Sequence, residues 1–295
     1  NYVVSQTGAG VTIADSTDVQ VLGNGIGLDA MGLGAGNLAD GVSISGSSRR
    51  VQIASGNRIS ANRGNGVSIS GMNVTAVTIT GNTIGGVDAL GTSAGNVLDG
   101  VAINSAVGNT VGAGNQISNN RNGVSVTDAR ATSLATGNVI TGSTITNNSL
   151  NGVSISGGSA STIGGTTVGT ANEIRANGGF GIALGSSAAT GASAGHAILG
   201  NFVGTNTNRE VNASLGNSAG GIAVNDATGT RVESNFVMNN RVDGVTVLGG
   251  SVNIVGGMAA TQGNVIANNA RDGVRIDGVA AATQGHWLSG NTIVD

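Results

Sequence analysis

Cysteine and proline are both absent from the 295 residues. Without cysteine there is no disulfide framework and no thiolate zinc site. Without proline the chain cannot be collagen-like. Lysine is missing too, so all 12 basic residues are arginine. Only 9% of residues are charged and 2% are aromatic, against about 25% charged in an average domain. The net charge of −3 offers no basic footprint for nucleic acid or for an anionic membrane surface. No unbroken run of 18 apolar residues occurs, so no membrane insertion by a helix is expected.

What the chain has in excess is glycine, 54 residues, where ordinary usage predicts about 20. Apolar residues still make up 39%, many of them Val and Ile, which sets the chain apart from disordered sequences. The apolar residues fall into a repeat. Asp40-Gly-Val-Ser-Ile44, Asn65-Gly-Val-Ser-Ile69, Asp99-Gly-Val-Ala-Ile103 and Asn151-Gly-Val-Ser-Ile155 read alike. Looser copies stand at Asn122, Gly220, Asp243 and Asp272. A second motif, Gly-Asn-x-Ile, follows at Gly56, Gly81, Gly114, Gly200, Gly263 and Gly290. Short segments such as Val51-Gln-Ile53 and Val77-Thr-Ile79 lie between the two.

Each unit thus reads strand, turn, strand, turn, short strand, and then a loop of variable length. Ten units begin near Val11, Val42, Val67, Val101, Val124, Val153, Ile182, Ile222, Val245 and Val274. Within the strands apolar residues alternate with Ser, Thr or Asn, a period of two that places one row inside and one outside. Strands this short need the same strand of the next unit stacked at about 4.8 Å. The expectation is an all-β solenoid of about ten coils over 1–295 as a single domain, with its variable loops on one face. Proline would delete a bond between coils, which accounts for its absence. The glycine before the first strand is expected to supply φ > 0, with the Asp or Asn ahead of it tolerating the same region. Ile69, Ile79 and Ile103 are expected to point inward.

The asparagine of the second motif recurs at Asn24, Asn57, Asn82, Asn115, Asn201, Asn235, Asn264 and Asn291. Its fixed offset from an Ile or Val points to a structural asparagine ladder at a coil corner. Asn37, in a long loop, is expected to matter much less.

The Gly-Val-x-Ile and Gly-Asn-x-Ile pattern resembles the right-handed parallel β-helix repeat of the pectate-lyase-like solenoids. The longer units, Gly23–Gly32 and Gly81–Gly91, each run on to Gly-Asn and Asp-Gly-Val. They resemble repeats of large bacterial secreted or surface proteins. The resemblance covers nearly the whole chain and implies a right-handed coil and an extracellular or bacterial cell-surface setting. It does not select a function, because that coil carries lyases, hydrolases, epimerases, adhesin shafts and phage spikes.

A reaction centre does not stand out. Most acids sit at turns, and Asp40, Asp99, Asp243 and Asp272 share a column with Asn65, Asn122 and Asn151, so that column reads as structural. The Asp-Pro-His-Glu motif of the epimerases is excluded by the missing proline. Glu173 with Arg175 is read as the one acid–base pair on an outward strand face, and a solvated surface pair is its plainer meaning. Aromatics that sugar grooves display number five here: Tyr2, Phe180, Phe202, Phe236 and Trp287. His196 and His286 lie far apart and share no motif. Asp29 and Asp88 recur at one place in two long loops, whereas the third, near Asn206-Thr-Asn208, lacks the aspartate. They are weak calcium candidates, and calcium is the only cofactor they suggest.

The leading expectation is therefore a structural module, a shaft, filament or adhesin stalk, rather than an enzyme. The alternative is a carbohydrate-active β-helix, a lyase or hydrolase, or a glycan-binding module. The chain opens at Asn1 without Met, so it reads as processed or cut from a longer protein. Joining Ile293-Val-Asp295 to Asn1-Tyr-Val3 composes one ordinary coil. The partners expected are thus a second copy stacked head to tail, or a continuing solenoid, and surface glycans.

Overall fold

Strands of two to four residues hold no structure alone, and here each finds its partner one coil away. The computed structural model describes residues 1–128, 137–186, 192–278 and 285–295. Three parallel sheets run along it. Sheet 1 carries the Gly-Val-x-Ile strands, Val11–Ala14, Val42–Ser45, Val67–Ser70 and onward to Val274–Asp277. Sheet 2 carries the short strands from Gln20–Leu22 to Trp287–Ser289, and sheet 3 the strands from Tyr2–Val3 to Thr292–Val294. Each coil visits the three in turn, so the fold is a parallel β-helix. It winds right-handed, the sense that parallel crossovers take.

Register keeps like over like. In sheet 1 Val42 pairs with Val67, Val67 with Val101 and Val101 with Val124. In sheet 2 Ile53 pairs with Ile79 and Ile79 with Val111. In sheet 3 Ile59, Ile84 and Ile117 follow one another. These columns, with Ile69, Ile79 and Ile103 among them, are buried and form one continuous core. Each such side chain contributes roughly 1.5–3 kcal/mol of burial.

The glycine before the first strand has a different task from the expected one. Gly41, Gly66, Gly100, Gly123 and Gly152 are not among the residues with positive φ. A Cβ on Gly66 would lie 2.5 Å from Ile84 Cγ2, 2.6 Å from the carbonyl oxygen of Gly100 and 2.9 Å from Asn96 Nδ2. Close approach of core, next coil and corner amide excludes any side chain. Positive φ is needed instead at the Gly-Asn corner, as at Gly56 (φ 81°) and Gly81 (φ 64°). The Asp or Asn ahead of the packed glycine is likewise absent from the positive-φ residues. It accepts from the next coil: Asp40 Oδ1 takes the N–H of Asn65, Asn65 Oδ1 that of Asp99, and Asp99 Oδ1 that of Asn122. Either side chain offers that oxygen, which is why the two exchange.

The loops do not keep to one face. The long segments 27–41, 86–100 and 204–219 leave the corner between sheets 3 and 1. Two others, 165–172 and 257–264, leave the corner between sheets 2 and 3. The last coil leaves Trp287, Leu288, Ile293 and Val294 exposed on its edge.

Candidate functional site

The eight asparagines singled out above fall in one column at the corner between sheets 2 and 3. Asn57 Nδ2 donates to Asn82 Oδ1 at 2.8 Å, and Asn82 Nδ2 to Asn115 Oδ1 at 3.2 Å. Asn201, Asn235, Asn264 and Asn291 continue the row in the same direction. Asn24 stands at its start, donating to Asn57. Ser143 and Asn172 stand between Asn115 and Asn201, and Ser143 lends only a hydroxyl. A second row at the corner between sheets 3 and 1 was not anticipated. It runs without a break through Asn37, Asn62, Asn96, Asn120, Asn148, Asn177, Asn217, Asn240 and Asn269. Asn37 is therefore not a loop bystander but a fully buried member of this row.

Asp29 and Asp88 close their own loops. Asp29 Oδ1 accepts the N–H groups of Met31 and Leu33, both at 2.9 Å. Asp88 Oδ1 accepts those of Leu90 and Thr92, again at 2.9 Å. In the third loop Asn206 Oδ1 does the same for Asn208 and Glu210. A neutral amide serves there, so the position needs an acceptor and not a charge. Among the described residues no three His, Asp or Glu side chains stand together as a metal site.

Where chemistry-bearing side chains do gather is a groove at the corner of sheets 2 and 3. Coils 7 and 8, those opening at Ile182 and Ile222, turn tightly there through Leu199-Gly200 and Glu233-Ser234. The insertion 165–172 of the preceding coil and that of 257–264 in the following coil stand up on either side. Walls three coils apart leave a slot about 14 Å across. Gly200 makes the tight turn possible, since it holds φ 65° and its Cβ would meet the Gly165 carbonyl oxygen at 2.3 Å. The groove encloses about 980 Å³.

Its floor holds an aromatic pair. Phe202 and Phe236 share a register position in sheet 3, and their rings stack at 5.3 Å with an interplanar angle of 8°. The loop 204–219 brings the Arg209 guanidinium over Phe236, 4.0 Å from the ring centroid. Beside them Arg231 grips Glu233 with two bonds of 2.7 Å each, and this pairing raises the Arg231 pKa above its ordinary value. Glu173 and Arg175 lie next to the groove. Their charges approach to 3.6 Å, and Glu173 Oε1 accepts the N–H of Thr207 in the groove wall. Glu173 and Arg175 are thus not alone: Arg231 with Glu233, and Arg275 with Asp277, repeat the i, i+2 spacing. That spacing was the signal available in the sequence. Phe180 pairs with Gly220 in sheet 1, away from this floor. Tyr2 and Trp287 sit on the first and last coils.

His196 and His286, apparently unrelated, occupy one column at the corner between sheets 1 and 2. Each accepts a backbone N–H of the preceding coil on Nδ1, from Ser161 at 3.2 Å and from Asn253 at 3.3 Å. Asn109 and Asn138 take the same place in earlier coils. The signal was local: Gly195-His196 and Gly285-His286 stand before a short strand as Gly108-Asn109 and Gly137-Asn138 do.

This architecture is that of several solved proteins. The A-module of the mannuronan C-5 epimerase AlgE4 from Azotobacter vinelandii matches with a TM-score of 0.70 and 15% identity, over 99% of this chain and 76% of that one. A double mutant of the periplasmic alginate epimerase AlgG matches with a TM-score of 0.63 and 15% identity, over 96% and 70%. The A-module of AlgE6 from the same Azotobacter species gives 0.54 and 14%, over 100% and 80%. At such identities the likeness is one of fold. No family model matches the chain, and no curated protein does.

Proposed function

We propose that this chain is a glycan-binding parallel β-helix, working outside the cytoplasm, whose groove between the insertions 165–172 and 257–264 receives a segment of polysaccharide. The observation that carries this reading is the gathering of the Phe202–Phe236 pair, Arg209 and the Arg231–Glu233 pair in one slot, on a chain only 9% charged and 2% aromatic. An aromatic wall offers apolar contact to the C–H faces of sugar rings. A guanidinium held over a ring keeps its N–H edge for sugar oxygens. The fold neighbours are, by their names, epimerases of alginate and mannuronan, one of them periplasmic. What we carry over is the class of ligand and the setting, not the reaction.

Binding is favoured over turnover by how the carboxylates are engaged. Both oxygens of Glu233 are held by Arg231, and Glu173 Oε1 closes the groove wall. The purely structural shaft or stalk leaves this gathering of side chains without a purpose.

The test is affinity electrophoresis, then calorimetry, against a panel of neutral and uronic-acid polysaccharides. The wild type should bind at least one of them. Arg209→Ala and Phe236→Leu should each weaken binding by roughly tenfold, equivalent to about 1.4 kcal/mol. Arg63→Ala, at an exposed site far from the groove, should not. Wild-type protein that binds no member of the panel, or an equal loss in Arg63→Ala, overturns the reading. Depolymerisation or epimerisation of the bound polymer would move the protein from the binding class to the enzymes.

A further inference from the structure

We propose that the corner between sheets 1 and 2 holds an acid-sensitive seam at His196, which, unprotonated, takes the acceptor place that asparagine fills in other coils and that His286 fills in the last. The column runs Asn109, Asn138, Ser161, His196, Thr230, Asn253, His286. At most of its steps the backbone N–H of one coil is received by the side chain of the next: Asn109 N–H by Asn138 Oδ1, Asn138 N–H by Ser161 Oγ, Ser161 N–H by His196 Nδ1. Thr230 N–H goes to Asn253 Oδ1, and Asn253 N–H to His286 Nδ1.

An amide or hydroxyl oxygen accepts at every pH. An imidazole nitrogen accepts only while it is unprotonated. With Nδ1 accepting, the neutral ring carries its proton on Nε2, and this tautomer leaves no lone pair there for a metal or for base catalysis. A second proton must go to Nδ1, where it faces the N–H of Ser161. The bond is then replaced by two opposed donors, and the coils must part at that corner.

No buried, unpaired charge on the described strands around His196 stabilises the cation. His196 is almost wholly buried. The strands packed around it, Val153–Ser159, Thr162–Gly164 and Ser193–Ala194, contain no ionisable residue. Asp226 precedes Ala227–Thr228 and is exposed. On Arg231–Glu233 the two charges are spent on each other. Burial accordingly pushes His196 down to about 4, against a smaller upward pull from the Gly158 backbone.

The seam adjoins the groove. The carbonyl of His196 accepts the N–H of Arg231 at 2.9 Å, so a shift at His196 reaches the strand that carries the Arg231–Glu233 pair.

The column itself supplies the diagnostic variant. His196→Asn installs the residue that Asn109 and Asn138 already place there, so it keeps an acceptor and removes the titration. Thermal midpoints of the 295-residue protein are measured at pH 7 and pH 4 for wild type, His196→Asn and the His196→Asn/His286→Asn double variant. Hydrogen exchange at the Ser161 amide is compared between wild type and variant at each pH. The expected result is near-equal midpoints at pH 7, a larger fall on acidification for the wild type, and faster Ser161 exchange at pH 4 in the wild type alone. Identical falls in all three proteins overturn the proposal. Should His196→Asn prove unstable at pH 7, His196→Gln, which also offers an amide oxygen, takes its place under the same two outcomes.

Discussion

Asn37, at the far end of a long glycine-rich loop, donates from Nδ2 to Asn62 Oδ1 at 2.8 Å and accepts the N–H of Gln6 on its own Oδ1 at 3.0 Å. It is as buried as any residue of the core. Replacing it by Ala takes the acceptor from the Gln6 N–H and a donor from both the Val3 carbonyl and Asn62 Oδ1. Asn37→Ala and Asn82→Ala should each cost roughly 1–3 kcal/mol. Chemical denaturation checks this, and a neutral Asn37→Ala would show that the row contributes little.

Gly66 is expected to tolerate no side chain. Its missing Cβ would fall within 3 Å of a core methyl, a carbonyl oxygen and an amide nitrogen. Gly66→Ala should destabilise by about 1–3 kcal/mol through overpacking, although its backbone conformation is open to alanine. Gly56→Ala meets no atom within 4 Å, so its cost should come from φ alone, about 1 kcal/mol. Comparing the two melts separates steric from conformational need.

Ile79→Asp should cost several kcal/mol, because Ile79 is fully buried between Ile53 and Val111 and a carboxylate there has no partner. A melt unchanged by that substitution would contradict the register of sheet 2.

The pH dependence has a definite sign. His196 titrates near 6.5 when unfolded and at about 4 when folded, so between those values the unfolded chain binds the extra proton. Its contribution is present in full above pH 6.5 and is lost as the pH falls towards 4, by roughly 3 kcal/mol in all. Denaturation midpoints across pH 7 to 3.5 should show that slope in the wild type and lack it in His196→Asn.

The last coil bears Leu288 and Ile293, 49% and 47% exposed, where the Val255 and Ile266 columns would continue. The 295-residue chain is expected to self-associate at tens of micromolar through such uncovered edges. Leu288→Arg with Ile293→Arg should shift it towards monomer in light scattering. An unaltered distribution would place the contact elsewhere.

Much of the fold was legible because one rule repeats. Val-x-Ile alternation fixed the inward columns, and the Gly-Asn offset found the eight corner asparagines. Asn37, Asn62 and Asn96 escaped notice although each stands five residues before the first Val of the next strand, Val42, Val67 and Val101; that offset was the signal, and the long loops before Asn37 and Asn96 hid it only on the side of the preceding strand. The groove was harder still. Phe202 and Phe236 are 34 residues apart and meet only once register is known. Arg209 has no counterpart in the two other long loops, and nothing local in its sequence says that it folds back over the next coil. The histidines were read as unrelated because no motif joins them in sequence, when the place each takes in the coil is one that amides and hydroxyls fill elsewhere.

The side-chain-free column of Gly41, Gly66, Gly100, Gly123 and Gly152 has a consequence for how this sequence can vary. One steric lesion is available at every coil, and it is the same lesion. A saturation mutagenesis map should therefore show a comb of intolerant glycines, with teeth spaced by the length of each coil and each followed by an intolerant buried Val, which sets them apart from crowded corner glycines such as Gly36 and Gly200 that precede an asparagine. Such a comb would count the coils and measure each loop from survival data alone. In a related sequence too divergent to align, its teeth would serve as ruler marks for matching coil to coil.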